Sequence, residues 1–274
     1  MGSINHLGSG WLTPTLSYAM ACAGAALGLR CTLRGLAATG AVRRNWLLTA
    51  AAAIGSGIWA MHFVAMFGFT VDGAELRYDV PLTLLSLLVA VLVTGLGLAV
   101  VGYRGARGPA LLGGGLITGL GVAAMHYLGM AALRMRAGLR YDSGTVALSV
   151  LIAVGAATAA LWAAVTIRNG YAAAAASLVM GLAVSCMHYT GMAAVHIHPE
   201  PTRTGLDGAS PMEFIFPLAV GLGSFLFLAA AFVALSPPAQ DRAGRRPAGE
   251  LTIEEFPVAS APAPAEPGRH DQAA

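Results

Sequence analysis

The sequence contains no lysine; all 16 basic residues are arginine. Alanine and glycine are also used heavily, so a compositional bias accounts for arginine standing in for lysine. Charge of either sign is scarce. Charged residues make up 11% of the chain and hydrophobic ones 57%, where a soluble domain carries about 25% charged residues. That balance excludes an ordinary soluble domain. No basic stripe interleaved with aromatics occurs, which excludes nucleic acid as an expected partner. The three cysteines, Cys22, Cys31 and Cys186, are widely spread and form no Cys-x-x-Cys pair. They read as small buried hydrophobes rather than as a disulfide frame or a thiolate metal site. No arginine precedes the first apolar run, so the basic n-region of a cleaved signal peptide is missing, and the first segment is expected to be retained. No acid–base or nucleophile constellation is visible, so the chain is not expected to be an enzyme.

What is present is long apolar runs. A membrane-crossing helix needs about 20 mostly apolar residues. Seven segments meet that length: Trp11–Leu29, Trp46–Phe67, Val80–Val101, Ala110–Leu133, Thr145–Ile167, Ala172–Val195 and Phe214–Leu235. None contains Asp, Glu, Lys or Arg. The last has a readable start, with Ser210 as N-cap, Pro211 at the first helical position and Glu213 three after the cap. Arginine is distributed unevenly between the two sides. Arg30, Arg34, Arg43, Arg44, Arg104, Arg107, Arg168 and the four arginines beyond residue 240 fall on one side; Arg77, Arg134, Arg136, Arg140 and Arg203 fall on the other. The positive-inside rule then puts the N-terminus outside and the C-terminus in the cytoplasm of a multi-pass plasma-membrane protein. The expected organisation is an extracytoplasmic segment 1–10, a seven-span domain 11–235 and a disordered cytoplasmic tail 236–274, where Pro, Ala, Glu and Arg dominate.

One phrase is written three times: Gly55-x5-Met61-His62-x3-Met66, Gly119-x5-Met125-His126-x3-Met130 and Gly181-x5-Met187-His188-x3-Met192. With 11 Met and 7 His in 274 residues, random order yields about 0.3 Met-His dipeptides. The copies recur every two spans, which preserves direction, so the repeats are parallel rather than inverted. The expected fold class is all-α: a polytopic membrane protein of seven helices, built from three parallel two-helix repeats plus one extra helix. His and the Met four residues on share a helix face. The Gly seven residues before His falls near that face, two turns deeper. The three faces are expected to converge on a common axis, tightly packed below and rich in donors at the outer end. Ser and Thr within the spans are expected to bond back to their own helices. Gly24–Gly28 and Gly115–Gly119 read as helix-packing pairs. Trp11, Trp46 and Tyr78 read as interfacial anchors.

The donor types narrow the chemistry. Ionisable residues inside a membrane are costly and mark function. Imidazole suits Cu, Zn, Fe and Ni, and thioether selects Cu(I) among them. The candidate metal ligands are His62, Met66, His126, Met130, His188 and Met192, flanked by Met61, Met125 and Met187. Copper is the expected cofactor; haem b is the alternative, since His and Met both serve as axial ligands. His196 and His198, with Met212 nearby, are candidate accessory ligands, although a solvated loop explains them equally well.

The tetrapeptide Met187-His188-Tyr189-Thr190, with Met125-His126-Tyr127-Leu128 and Met61-His62-Phe63-Val64, resembles the MHYT-domain family of bacterial integral membrane sensors, over roughly residues 10–235. The resemblance implies a seven-span sensor whose Met and His residues bind copper near the outer membrane face and respond to O2, CO or NO. It departs from many relatives in ending about 40 residues after the last span, without an output domain, so a separate cytoplasmic signalling partner is expected. It also departs in carrying Phe63 where tyrosine is usual. Two other functions compete: a copper carrier or acquisition protein, and a haem-binding electron-transfer subunit.

Overall fold

A computed structural model describes residues 4–5, 10–71, 75–105, 107–167, 169–199 and 207–235. The expected tail, 236–274, lies outside the described residues, as does most of segment 1–10. Seven helices are long and apolar enough to cross a membrane: α1 (Leu12–Leu36), α2 (Gly40–Met66), α3 (Val80–Arg104), α4 (Gly108–Ala132), α5 (Ser143–Thr166), α6 (Gly170–Ala193) and α7 (Phe216–Leu235). A π-helical turn, Pro211–Ile215, leads into α7. The outward faces are apolar. Leu84, Leu88, Leu92 and Leu96 form an i, i+4 stripe on α3, each about half exposed. Phe227, Leu228 and Phe232 are exposed on α7. A continuous apolar exterior of this kind belongs against lipid rather than water. The protein is a multi-pass, all-α membrane protein.

The helix starts are chemically marked. Asp79 caps α3 by accepting the Leu82 N–H at 3.0 Å, Asp142 caps α5 through Thr145 N–H at 2.8 Å, and Asn169 caps α6 through Ala172 N–H at 2.6 Å. Ser210 and Glu213 form the reciprocal capping box expected from the sequence, at 3.3 and 3.2 Å. The helices extend past the apolar runs at the arginine-rich end. There α1 carries on through Arg30 and Arg34, and α2 already begins at Gly40. Arginine sustains a helix and keeps its head group at the interface. Arg34 donates to Val233 O at 2.7 Å, and its guanidinium lies 5.2 Å from the Trp46 ring centroid.

Three hairpins, α1–α2, α3–α4 and α5–α6, follow one another around the bundle. Each helix packs on the next, and α6 returns to α1. Helices α2, α4 and α6 also meet one another, while α7 packs on α1 and α2. Small residues allow the close approaches. Gly24 on α1 lies against Gly57 on α2, and a Cβ on Gly24 would come 2.8 Å from the Gly57 Cα. Gly115 and Gly119 on α4 face Thr158 and Val154 on α5. Both glycine pairs thus serve helix packing, as expected. Gly55 and Gly181 behave like Gly119: an added Cβ would meet the Val91 backbone on α3 or the Cys22 sulfur on α1. The glycine of each phrase therefore seats a neighbouring helix and does not line the common axis. Histidine reaches the centre with a long side chain, but two turns deeper the same flank is already covered by the adjacent helix.

Three antiparallel ribbons join the ends of the repeats. β1 (Ile4–Asn5) pairs with β2 (Thr70–Val71), β3 (Arg77–Tyr78) with β4 (Leu133–Arg134), and β5 (Ala137–Tyr141) with β6 (Val195–Pro199). Tyr78 and Ala209 exchange backbone hydrogen bonds at 2.9 and 3.0 Å. The N–H groups of Asp79 and Asp142 bond to the carbonyls of Ala132 and Ala194, at 2.8 and 2.9 Å. Each aspartate thus caps one helix and ties it to the end of another. Tyr78 is not an interfacial anchor. It is buried against Phe63, with ring centroids 5.8 Å apart, because both its backbone groups are committed to the loop after β6.

Arg134 donates to Asp79 Oδ2 at 2.6 Å, across the ribbon that joins the two ends of the second repeat. That bond, followed by the one from Leu82 N–H, holds the Asp79 carboxyl below the usual carboxylate range. A depressed carboxylate stabilises the fold above its ordinary pKa of 3.8 and loses that contribution as pH falls through the folded value. Thermal melts of the detergent-solubilised protein are therefore expected to drop below about pH 4, and Asp79→Asn is expected to flatten that drop. The pair is partly exposed, so the effect stays within about 1 kcal/mol.

Candidate metal centre

Each of α2, α4 and α6 delivers one histidine to the same point. The Nδ1 atoms of His62 and His188 are 3.0 Å apart, those of His126 and His62 3.2 Å, and those of His188 and His126 3.3 Å. All three residues are buried, and their possible ligand atoms lie within 4.8 Å of one another. The rings meet nearly edge to face, with interplanar angles of 79–85°. Each is backed by the aromatic that follows it: Phe63 at 4.6 Å, Tyr127 at 4.8 Å and Tyr189 at 5.0 Å between centroids.

This contact has no solution in protons alone. A neutral imidazole Nδ1 is either a donor or an acceptor. Among three mutually touching nitrogens, at least two must play the same role, so one contact always sets lone pair against lone pair or N–H against N–H. Protonating a ring places a charge in a buried, apolar setting, which is costly. A single cation accepts all three lone pairs together. At metal–nitrogen bonds of about 2.0–2.1 Å, tetrahedral geometry separates the nitrogens by about 3.3–3.4 Å, close to the spacing here. The donor set therefore fits a metal ion at the Nδ1 side.

The far side of each ring is held differently. His62 Nε2 and His126 Nε2 are buried without a hydrogen-bond partner. Instead they rest on glycine. A Cβ on Gly129 would stand 2.5 Å from His62 Nε2, and one on Gly191 2.5 Å from His126 Nε2. The usual hydrogen-bonded outer shell of a metal-binding histidine is replaced at these two rings by packing. Gly129 lies three residues after His126 on α4 and Gly191 three after His188 on α6, so each touches the histidine of the preceding repeat. Sequence reasoning passed over them, although the Gly-Met pairs Gly129-Met130 and Gly191-Met192 were there to be read.

The six methionines of the phrases are all buried. Met66, Met125, Met130, Met187 and Met192 fall in one apolar cluster with Phe63, Trp59 and Tyr78. Two serines complete the surroundings. Tyr127 Oη and Ser149 Oγ are 2.7 Å apart. In the first repeat, where Phe63 lacks the hydroxyl, Ser86 Oγ accepts from Trp59 Nε1 at 3.0 Å. His196 and His198 do not join the triad. They alternate outward on β6, exposed, opposite Arg140 and Gly138. Met212 is likewise exposed.

Fold and site together define a helical membrane protein with three pseudo-equivalent hairpins and an intramembrane cluster of three histidines. Comparison with known proteins places its middle in a family. The family model for MHYT, the bacterial signalling protein N-terminal repeat, matches residues 55–114 and 119–177, and that stretch carries MHYT repeats. It is 48% identical over 161 residues to the bifunctional diguanylate cyclase/cyclic di-GMP phosphodiesterase MucR of Pseudomonas aeruginosa, covering 55% of this chain and 22% of that protein. It is 41% identical over 175 residues to the cyclic di-GMP phosphodiesterase NbdA of the same organism, covering 60% and 22%. The signaling protein YkoW of Bacillus subtilis is 27% identical over 197 residues, covering 69% and 24%. The chain thus spans under a quarter of the length of these relatives. No solved structure matches it.

Proposed function

We propose that this domain is a membrane sensor that holds one copper ion between His62, His126 and His188. The observation that carries the reading is the mutual approach of three buried Nδ1 atoms, which one cation satisfies and protons do not. Met66, Met130 and Met192, with Met61, Met125 and Met187, supply the soft surroundings that favour Cu(I) over zinc. Rings packed nitrogen to nitrogen suit a single ion better than haem b, whose macrocycle would have to part them. The axis beneath the triad is lined by Ile58, Val122 and Val184, which favours a resident ion over a conducted one. Copper supplies two oxidation states and an open position for O2, CO or NO.

The protein's part is mechanical. The three ligands sit on three separate helices, so a change in their spacing shifts α2, α4 and α6 against one another. Those helices run unbroken to the arginine-rich end. By the positive-inside rule that end is cytoplasmic, the N-terminus is outside, and the triad lies toward the outer face. The output is an enzyme of cyclic di-GMP metabolism on the cytoplasmic side, in keeping with the named activities of MucR and NbdA. Metal analysis and optical spectroscopy of the purified protein test this reading. About one copper per chain and no Soret band are expected; absence of copper, or a stoichiometric haem, overturns it.

A further inference from the structure

A cavity of about 70 Å³ lies between the helices below the triad, with Met187 but none of the three histidines in its wall. Its walls follow the threefold repeat. Ile58, Val122 and Val184 stand four residues before the three histidines, and Ile54, Thr118 and Met180 stand eight before them. Two consecutive layers of α2, α4 and α6 thus surround it, with the histidines as the next layer up. The space exists because α5 turns an alanine face inward: Ala153, Ala157, Ala160 and Ala164 line it at helical spacing. It is chemically apolar. Of its two hydroxyls, Thr94 donates to Ala90 O at 2.7 Å and Thr118 to Val93 O at 3.4 Å, so both are spent on backbone. An apolar void stays dry, and one of about 150 Å³ admits benzene or xenon. At half that volume, the fit is to xenon or a smaller uncharged molecule rather than to benzene. Along the α5–α6 seam, the lining residues Ala156, Ala160, Met180 and Val184 are only half-buried.

From this geometry we infer that the cavity takes up a small uncharged diatomic gas from the bilayer interior and delivers it to the underside of the histidine triad. Nonpolar gases concentrate in hydrocarbon, so entry between α5 and α6 draws on the richer phase and avoids the polar ribbons at the outer end. Delivery rests on the triad holding a metal; uptake into the cavity does not.

Xenon separates the two. Xenon-pressurised crystals, or xenon-129 exchange in detergent, are expected to show one xenon between Ile58, Val122 and Ala157 in the wild type, with or without copper. Ala157→Leu fills the space and is expected to abolish that signal while leaving copper content unchanged. In the copper-loaded protein the same substitution is expected to slow carbon monoxide association about tenfold or more. No xenon at this position in the wild type overturns the inference, and so does an unchanged carbon monoxide rate in an Ala157→Leu protein that has lost xenon. Should Ala157→Leu fail to fold, xenon in the wild type alone decides. A wild type that binds xenon and no copper removes the metal reading and leaves the cavity's affinity for gas standing.

Discussion

His126→Leu is expected to cost at least about 100-fold in copper affinity and to remove the metal-dependent part of the protein's thermal stability. The histidine is fully buried and shares both its Nδ1 contacts with the other two rings. Losing it leaves two donors where three converge. A ligand bound only by the folded state stabilises by RT ln(1 + [L]/Kd), about 4 kcal/mol at a thousandfold excess over Kd. Stripping wild-type protein with a chelator should therefore lower its unfolding midpoint markedly. In His126→Leu the chelator should have no effect, because there is little bound metal to remove. Replacing Met130 with leucine keeps the volume of a fully buried residue and deletes only the thioether. Its effect on copper affinity is expected to be smaller than that of the histidine, and to fall mainly on Cu(I). If wild type and His126→Leu respond alike to the chelator, the triad is not a metal site.

The repeat, the seven helices and the three histidines were legible in the sequence because each leaves a strong one-dimensional mark. An apolar run of membrane length has few other uses, and three Met-His dipeptides at a spacing of two spans are improbable by composition. The boundaries at the arginine-rich end were not legible, because α1 continues through Arg30 and Arg34 after the apolar run has ended. The ribbons at the histidine end left little trace. β1, β2, β3 and β4 are two residues each and exist only because the far end of the same hairpin supplies the partner strand. The burial of Tyr78 is likewise set at long range, by Ala209, 131 positions further on. Helix periodicity puts Gly55, Gly119 and Gly181 on the histidine face, but which helix covers that face at a given depth is a tertiary fact. The glycines that touch the rings, Gly129 and Gly191, belong to the next repeat in each case and cannot be paired with their histidines from spacing.

Those two glycines carry the second large effect. Gly129→Ala brings a methyl group to 2.5 Å from His62 Nε2, and the ring has nowhere to go. Its opposite nitrogen is locked against His126 and His188, and its flank is closed by Phe63. Two opposing terms decide the outcome for stability. Removing a glycine from a helix interior gains about 1 kcal/mol, while forcing a methyl group into a filled core costs about 1–3 kcal/mol. The net change in unfolding is therefore modest. The spacing of the nitrogens has no such compensation. A ring pushed off its position breaks the match to a single ion, and copper affinity is expected to fall by about 10–100-fold. Gly191→Ala should act on His126 in the same way. Gly113 on the same helix is the control: a Cβ there meets nothing within 4 Å, so Gly113→Ala should keep wild-type copper binding and gain the helix term. Copper titration of the three variants against wild type makes the comparison. Equal affinity in Gly129→Ala and Gly113→Ala would mean that glycine beneath the ring does not position it, and that the orientation of His62 is set by the metal rather than by α4.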